Sequence, residues 1–326
     1  MSKIFDFEKP IIELEKTITD LETSGRTQTP EISSRIESLK QKYREQKAAL
    51  FSNLSGWETV LVARHPDRPK FENFLPLLSD DFIELHGDRL VGDDRALIGG
   101  FAAIDGERVI LVGNNKGTTT KDNIERNFGY ANPEGFRKVL RLMKLAEKYS
   151  LPLVCIIDIP AAYPGKYAEE RGVAEAIAHN IYEMARIETP IISVVIGEGG
   201  SGGALASGGI GDVILMLNHA IYSIAPPEAA SSILFRDAAH APDAAEALKL
   251  RASDLKALGI ADEVIDEPLG GAHHDYNATA TSLRTAIVRN IRMLSKLSVK
   301  KLLARRYEKY TAIGVFDVNS GGMKIH

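Results

Sequence analysis

Apolar positions between residues 11 and 50 recur at helical spacing. Ile11, Leu14, Ile18 and Leu21 share one face, and Ile32, Ile36, Leu39 and Tyr43 share another after a break at Gly25 to Pro30. The pattern predicts two amphipathic helices joined as a hairpin, which suits a clamp on another subunit or a cap on the chain's own core. The text changes at Ser55, a helix start leading into a proline-bounded basic loop with Arg64, His65 and Arg68. Strands are then predicted over 96–104 and 108–112, across the turn Asp105-Gly106. Asp88, Asp93 and Asp94 lack the spacing of a metal-binding loop, and Arg89 and Arg95 are near enough to pair with them.

A long polar loop comes next, over 114–135, and loops of that length in compact domains are usually functional or disordered. Pro133 and Glu134 then open a helix over 136–149, with Arg137, Arg141, Lys144 and Lys148 on one face that meets either a phosphate or solvent. Residues 153–157 read as a strand, 158–166 as a loop and 168–188 as a long helix. Residues 191–206, IISVVIGEGGSGGALA, complete a third strand–loop–helix unit. Three such units argue for an α/β domain with parallel strands whose loops gather at one end. Further strands are expected over 212–217, 220–224 and 260–265. Helices are expected to open at Pro226-Pro227-Glu228 and to cover 253–258 and 279–297. A basic tail with Lys300, Lys301, Arg305, Arg306 and Lys309 closes the chain, either as a contact surface or for solubility.

The third unit carries the densest chemistry. Its β-branched run is a buried strand, and Gly197, Gly199, Gly200, Gly202 and Gly203 then allow φ > 0 and close approach to the main chain. Ala204 to Ala206 begin a helix, so unpaired N–H groups point out where negative charge is favoured. Gly197, Gly199 and Gly202 match GxGxxG, but the acid expected about 20 residues on is not evident. Gly199, Ser201 and Gly203 match GxSxG, with His273 downstream in a hydrolase-like order. A third reading uses only the N–H groups of residues 202–204, aimed at a developing oxyanion.

Composition narrows the classes. The chain has 326 residues, 44% hydrophobic and 26% charged, which suits a sizeable core. A net charge of −4 and pI of about 6.1 give no global case for nucleic-acid or membrane binding. The single cysteine, Cys155, excludes an internal disulfide and a multi-cysteine zinc site, and its apolar run predicts a buried, inert thiol. With no apolar signal core and no run of 18 apolar residues, a cytoplasmic location is expected. The two histidines of EPLGGAHHD have no metal-ligand spacing around them.

Taken in order, GWETVLVARHPDRP, FIELHGDR with DDRALIGGFA, RNFGYANPEGFRKVLRLMKLAEK, AYPG with AEERG, VIGEGGSGGALA and EPLGGAHHD resemble the α subunit of the bacterial acetyl-CoA carboxylase carboxyltransferase, in the crotonase-like superfamily. These segments span residue 56 to about 275. The resemblance implies an α/β crotonase-like core of ββα units over 56–278, a helical N-terminal extension over 1–55 and a C-terminal helical tail over 279–326. It implies transfer of CO₂ from carboxybiotin, held on a separate biotin carboxyl carrier protein, to acetyl-CoA, giving malonyl-CoA for fatty-acid synthesis. Carried over, the backbone oxyanion hole for biotin falls on Gly202, Gly203 and Ala204. Ala161, Ala162, Gly165, Gly199, Gly200, Lys116 and Gly117 are expected around the cofactor, with no metal in this chain. A zinc-ribbon β subunit, an α₂β₂ assembly and a biotin carboxylase partner are likewise implied. Two departures stand out: DIPAAYPG puts Ala161 where the family has glycine, and PPEA replaces SPEG at Pro226 and Ala229.

Overall fold

A strand buried at every position needs neighbours on both edges and layers on both faces. Three strands meet that description, β4 (Leu153–Ile159), β5 (Ile191–Gly200) and β6 (Val213–Leu217), and the first two pair in parallel at the centre of the sheet. The computed structural model describes residues 5–23, 29–314, 316–319 and 322–325. Around the central pair lie β1 (Asp81–Glu84), β2 (Leu97–Ile104), β3 (Glu107–Asn114), β6 (Val213–Leu217), β7 (Ile221–Ser223) and β8 (Glu263–Ile265). The sheet order is β1-β2-β3-β4-β5-β6-β8, with β7 on β5 beside that path. Strands β1 to β3 are antiparallel and the remaining pairings are parallel. The expected Asp105-Gly106 turn joins β2 to β3 with both residues at positive φ.

The helices Pro133–Tyr149 and Val173–Arg186 pack side by side over the sheet, burying Phe136, Val139, Leu142, Met143, Ala176 and Met184. The single long helix expected over 168–188 is instead two, Lys166–Glu170 and Val173–Arg186. Gly172 between them takes φ 76°, a left-handed conformation that stops the first helix. Cys155 is fully buried, and burial pushes its thiol up to about 12, the inert state expected of it.

The N-terminal hairpin is present as Lys9–Thr23 and Pro30–Ser52, with Ile11, Ile18, Ile36 and Phe51 buried; residues 24–28 of the expected break lie outside the described residues. It packs on this chain itself, for Ile11 and Phe51 cluster with Val62, and Lys47 Nζ lies 3.3 Å from His274 Nε2. Ser55 caps the Gly56–Ala63 helix by accepting from Glu58 N–H, and Glu58 reaches back to the Ser55 N–H.

Two sequence expectations about charge are corrected. Asp88 and Asp93 pair with Arg137 and Lys138 of the Pro133–Tyr149 helix, at 3.0 and 2.5 Å, while Arg95 pairs with Glu125. Sequence proximity misled because a later helix delivers its cations across the loop from 49 and 45 residues away. Arg137, Arg141 and Lys144 are thereby engaged by Asp88, the Gly87 carbonyl and Glu183, and do not form an open phosphate-binding stripe. In the basic tail, now the Val299–Thr311 helix, Arg306 is buried against Asp212 and Lys309 pairs with Asp262.

Candidate active site

Three parallel strands end side by side, and the loops leaving them carry most of the residues singled out from the sequence. β3 runs out at Asn114 toward Lys116 and Gly117, β4 at Ile159 toward Ala161, Ala162 and Gly165, and β5 at Gly200 into the helical turn Ser201–Ala204. Crevices beyond the carboxyl ends of such strands are where α/β sheets bind ligands.

These glycines serve close approach, and the expected glycine loop between strand and helix is corrected, for β5 runs on through Gly200 and the helical turn opens directly at Ser201. None of Gly197, Gly199, Gly200, Gly202 and Gly203 lies in the left-handed region; the left-handed residue of the turn is Ser201, at φ 50°. A Cβ on Gly200 would sit 1.7 Å from the Pro160 carbonyl oxygen, and one on Gly203 would sit 2.6 Å from the Ala162 nitrogen. The turn is therefore clamped backbone to backbone against residues 160–162. Gly202 is roomier, its nearest contact being the Ile177 side chain at 3.3 Å. Gly202 and Gly203 lie in the first turn of this helix, where main-chain N–H groups have no intrahelical partner, and the Leu205 N–H that caps its end bonds back to Ser201 and Gly202. Ala161 and Ala229 do not take positive φ, so neither methyl strains its backbone where the sequence departs from the family pattern.

Beside the turn, ion pairs bind the strand ends to one another. Lys116 Nζ lies 2.7 Å from Asp158 Oδ1 and 2.8 Å from Glu198 Oε1, and Arg64 bridges Glu198 and Glu228 at 2.8 and 2.6 Å. The Glu198 N–H also donates to Asp158 Oδ1 at 3.0 Å. Burial works against charge on Glu198, but Lys116 and Arg64 outweigh it and hold its carboxyl at about 2. Burial likewise works against the Lys116 ammonium, and the two carboxylates reverse that and raise its pKa. A folded pKa below the ordinary 4.5 means that Glu198 contributes stability above pH 4.5 and loses it as pH falls toward 2. The contribution is on the order of 3 kcal/mol. Glu198→Gln is expected to flatten the acid limb of the stability curve between those pH values, measured by denaturant melts at each pH.

Arg64, Lys70, Lys116, Tyr130, Asp158 and Glu198 are among the walls of a cavity of about 660 Å³. A second, apolar cavity of about 590 Å³ has Ser201, Gly202, Leu205, Tyr222 and Ile224 in its wall. Asp158, Glu198 and Glu228 were not singled out from the sequence. The readable signal was a lone carboxylate closing each apolar strand run, LVCIID and IISVVIGE.

The hydrolase geometry is not formed. Ser201 makes no hydrogen bond to His273, whose ring stacks on His65 at 4.2 Å and meets His274 at 4.4 Å. Burial, reinforced by both neighbouring imidazoles, pushes His273 down to about 3. Among the described residues no cluster of His, Cys, Asp and Glu could hold a metal ion, and no helix is long and apolar enough to cross a membrane.

Comparison with solved structures gives the same architecture. A transcarboxylase 12S structure superposes with a TM-score of 0.57 at 20% identity, over 71% of this chain and 43% of that one, so this chain spans under half of its length. A Pseudomonas malonate decarboxylase hetero-tetramer in complex with coenzyme A gives 0.56 at 17% identity, over 73% and 94%. At these identities the likeness is one of fold. Sequence relatives go further. The acetyl-coenzyme A carboxylase carboxyl transferase subunit alpha of Listeria monocytogenes is 48% identical over 97% of this chain and 99% of its own. That of Methylococcus capsulatus is 49% identical over 97% and 98%. Residues 4–314 match the family described as acetyl co-enzyme A carboxylase carboxyltransferase-like, and the chain belongs to that family, on the side of its alpha subunits.

Proposed function

We propose that this chain is the carboxybiotin-facing half of the acetyl-CoA carboxylase carboxyltransferase, forming malonyl-CoA together with a β subunit. The observation that carries the reading is the turn at the end of β5, glycine-tight against residues 160–162 and leading with main-chain N–H groups, in a chain alike to α subunits from end to end. When carboxybiotin gives up CO₂, negative charge develops on the ureido oxygen. The N–H groups of Gly202, Gly203 and Ala204 are suited to stabilise it, each donor contributing roughly 3–4 kcal/mol by analogy with other oxyanion holes. The apolar cavity beside Ser201 and Gly202 suits a small ring system offered at the turn. The proton from acetyl-CoA passes to the ureido nitrogen, so no side-chain base is required of this chain. A zinc-ribbon β subunit holding acetyl-CoA, an α₂β₂ assembly, a biotin carboxyl carrier protein and a biotin carboxylase complete the system.

Co-purified with a zinc-ribbon β subunit, the chain is expected to catalyse carboxyl exchange between malonyl-CoA and a free biotin derivative. A folded complex without turnover overturns the reading. Ser201→Ala is expected to keep most of that rate in the same assay, because the proposed chemistry uses main-chain donors; abolition would return the serine nucleophile to contention.

A further inference from the structure

Strand β5 changes its neighbours partway along. Over Ile192 to Val195 it pairs with β6, and over Glu198 to Gly200 it pairs with β7 instead. Between these stretches its register with β4 slips. Ile157 opposes Val195, whereas Ile159 opposes Gly199, so two residues of β4 are matched by four of β5. Bulges of this kind bend a strand, re-aim the residues downstream of the bend, and recur beside active sites. Directly downstream of this one lies the turn from Gly200 to Ala204.

The bulge is held by charge. Asp158 stands inside the slip and accepts the Glu198 N–H that the ladder no longer engages. Its carboxylate lies so close to the bulged strand that a Cβ on Gly197 would fall 2.3 Å from Oδ1. Two carboxylates, Asp158 and Glu198, thus meet at one buried kink, and both contact Lys116. Arg64 holds the other oxygen of Glu198 and reaches on to Glu228 in the first turn of the Pro227–Phe235 helix. Lys70, in the wall of the same cavity, donates to the Gly117 carbonyl. The ammonium of Lys116 is occupied by these carboxylates, with its side chain 16% exposed.

We infer that Lys116 is a positioning residue, which holds the β5 bulge by bridging Asp158 and Glu198 and thereby aims the Gly200–Ala204 turn at its substrate. The inference rests on the carboxyltransferase reading of that turn. It assigns Lys116 no contact with the reacting atoms. Without the ammonium, two buried carboxylates face each other at the kink and push the turn off its line. A displacement of about 1 Å at such a site lowers the rate about 100-fold.

The test uses the co-purified αβ complex and three forms of this chain. Lys116→Met is expected to lower kcat for carboxyl exchange about 100-fold, with KM for malonyl-CoA unchanged. In the chain alone, hydrogen exchange is expected to quicken at the amides of 198–204 and to stay as in wild type elsewhere in the sheet. Adding Asp158→Asn removes one of the opposed charges while leaving an Oδ1 to accept the Glu198 N–H. The double variant is expected to recover kcat to within a few-fold of wild type and to restore the exchange pattern. An unchanged kcat in Lys116→Met overturns the inference. So does a double variant whose amides recover while its kcat does not, since Lys116 then acts on substrate directly. A wild-type complex that folds but does not turn over sinks the carboxyltransferase reading instead, and the exchange pattern of the two variants still decides whether Lys116 holds the bulge.

Discussion

Replacing Gly203 with glycolic acid, which turns its amide N–H into an ester oxygen, is expected to lower kcat for carboxyl exchange by about 10²–10³-fold. The usual side-chain substitutions are poor probes at this position. Gly203 is buried, and any Cβ would meet the Ala162 nitrogen at 2.6 Å and the Ala161 carbonyl carbon at 2.9 Å, so Gly203→Val disturbs the clamp between the two loops as well as the chemistry. The ester adds no atom on the crowded side. It removes a donor in the first turn of the helix, where main-chain N–H groups have no intrahelical partner, so helix formation is little affected. An interaction made only in the transition state appears in kcat and in kcat/KM equally, whereas lost ground-state binding raises KM alone. Steady-state kinetics on the αβ complex, with circular dichroism and assembly mass as controls, separates these outcomes. A rate within about two-fold of wild type removes Gly203 from the proposed hole.

The strand and turn that this experiment probes are legible because they are local. A β-branched run that breaks into closely spaced glycines has few structural explanations, and β5 starts where the pattern puts it, although it runs on through Gly197–Gly200 and its helical turn opens at Ser201 rather than at Ala204. The role of the glycines is only half legible. Close approach to residues 160–162 depends on which strand lies beside β5, and no local pattern reports that neighbour. The carboxylates escape for the same reason. Asp158 and Glu198 are 40 residues apart in the chain, and each alone is an ordinary acid at a strand end; only the parallel pairing of β4 with β5 brings them onto one lysine. The antiparallel β2–β3 hairpin is readable from Asp105-Gly106, whereas the antiparallel addition of β1 at the sheet edge has no turn to announce it.

The basic tail illustrates the limit most sharply, and it carries a large expected stability effect. Arg306 reads in the sequence as one of five cations of a basic tail that serves as a contact surface or for solubility, yet its side chain is 1% exposed. It donates to both carboxylate oxygens of Asp212 and to the carbonyls of Met184, Ile187 and Thr189. Asp212 in turn accepts from the Ile191 N–H, the first residue of β5. One guanidinium therefore pins the C-terminal helix to the end of the Val173–Arg186 helix and to the start of the strand that leads into the site. Removing one member of a buried pair leaves the other charged and uncompensated, at about 3–5 kcal/mol. Arg306→Met is accordingly expected to destabilise the chain by about that amount in denaturant melts. Adding Asp212→Asn abolishes the stranded charge while keeping an acceptor for Ile191, and is expected to recover a large part of the loss. The coupling energy of that cycle distinguishes the ion pair from simple packing, because two independent losses would add. Additivity would mean that the carbonyl contacts of Arg306, rather than its charge, hold the helix against the root of β5.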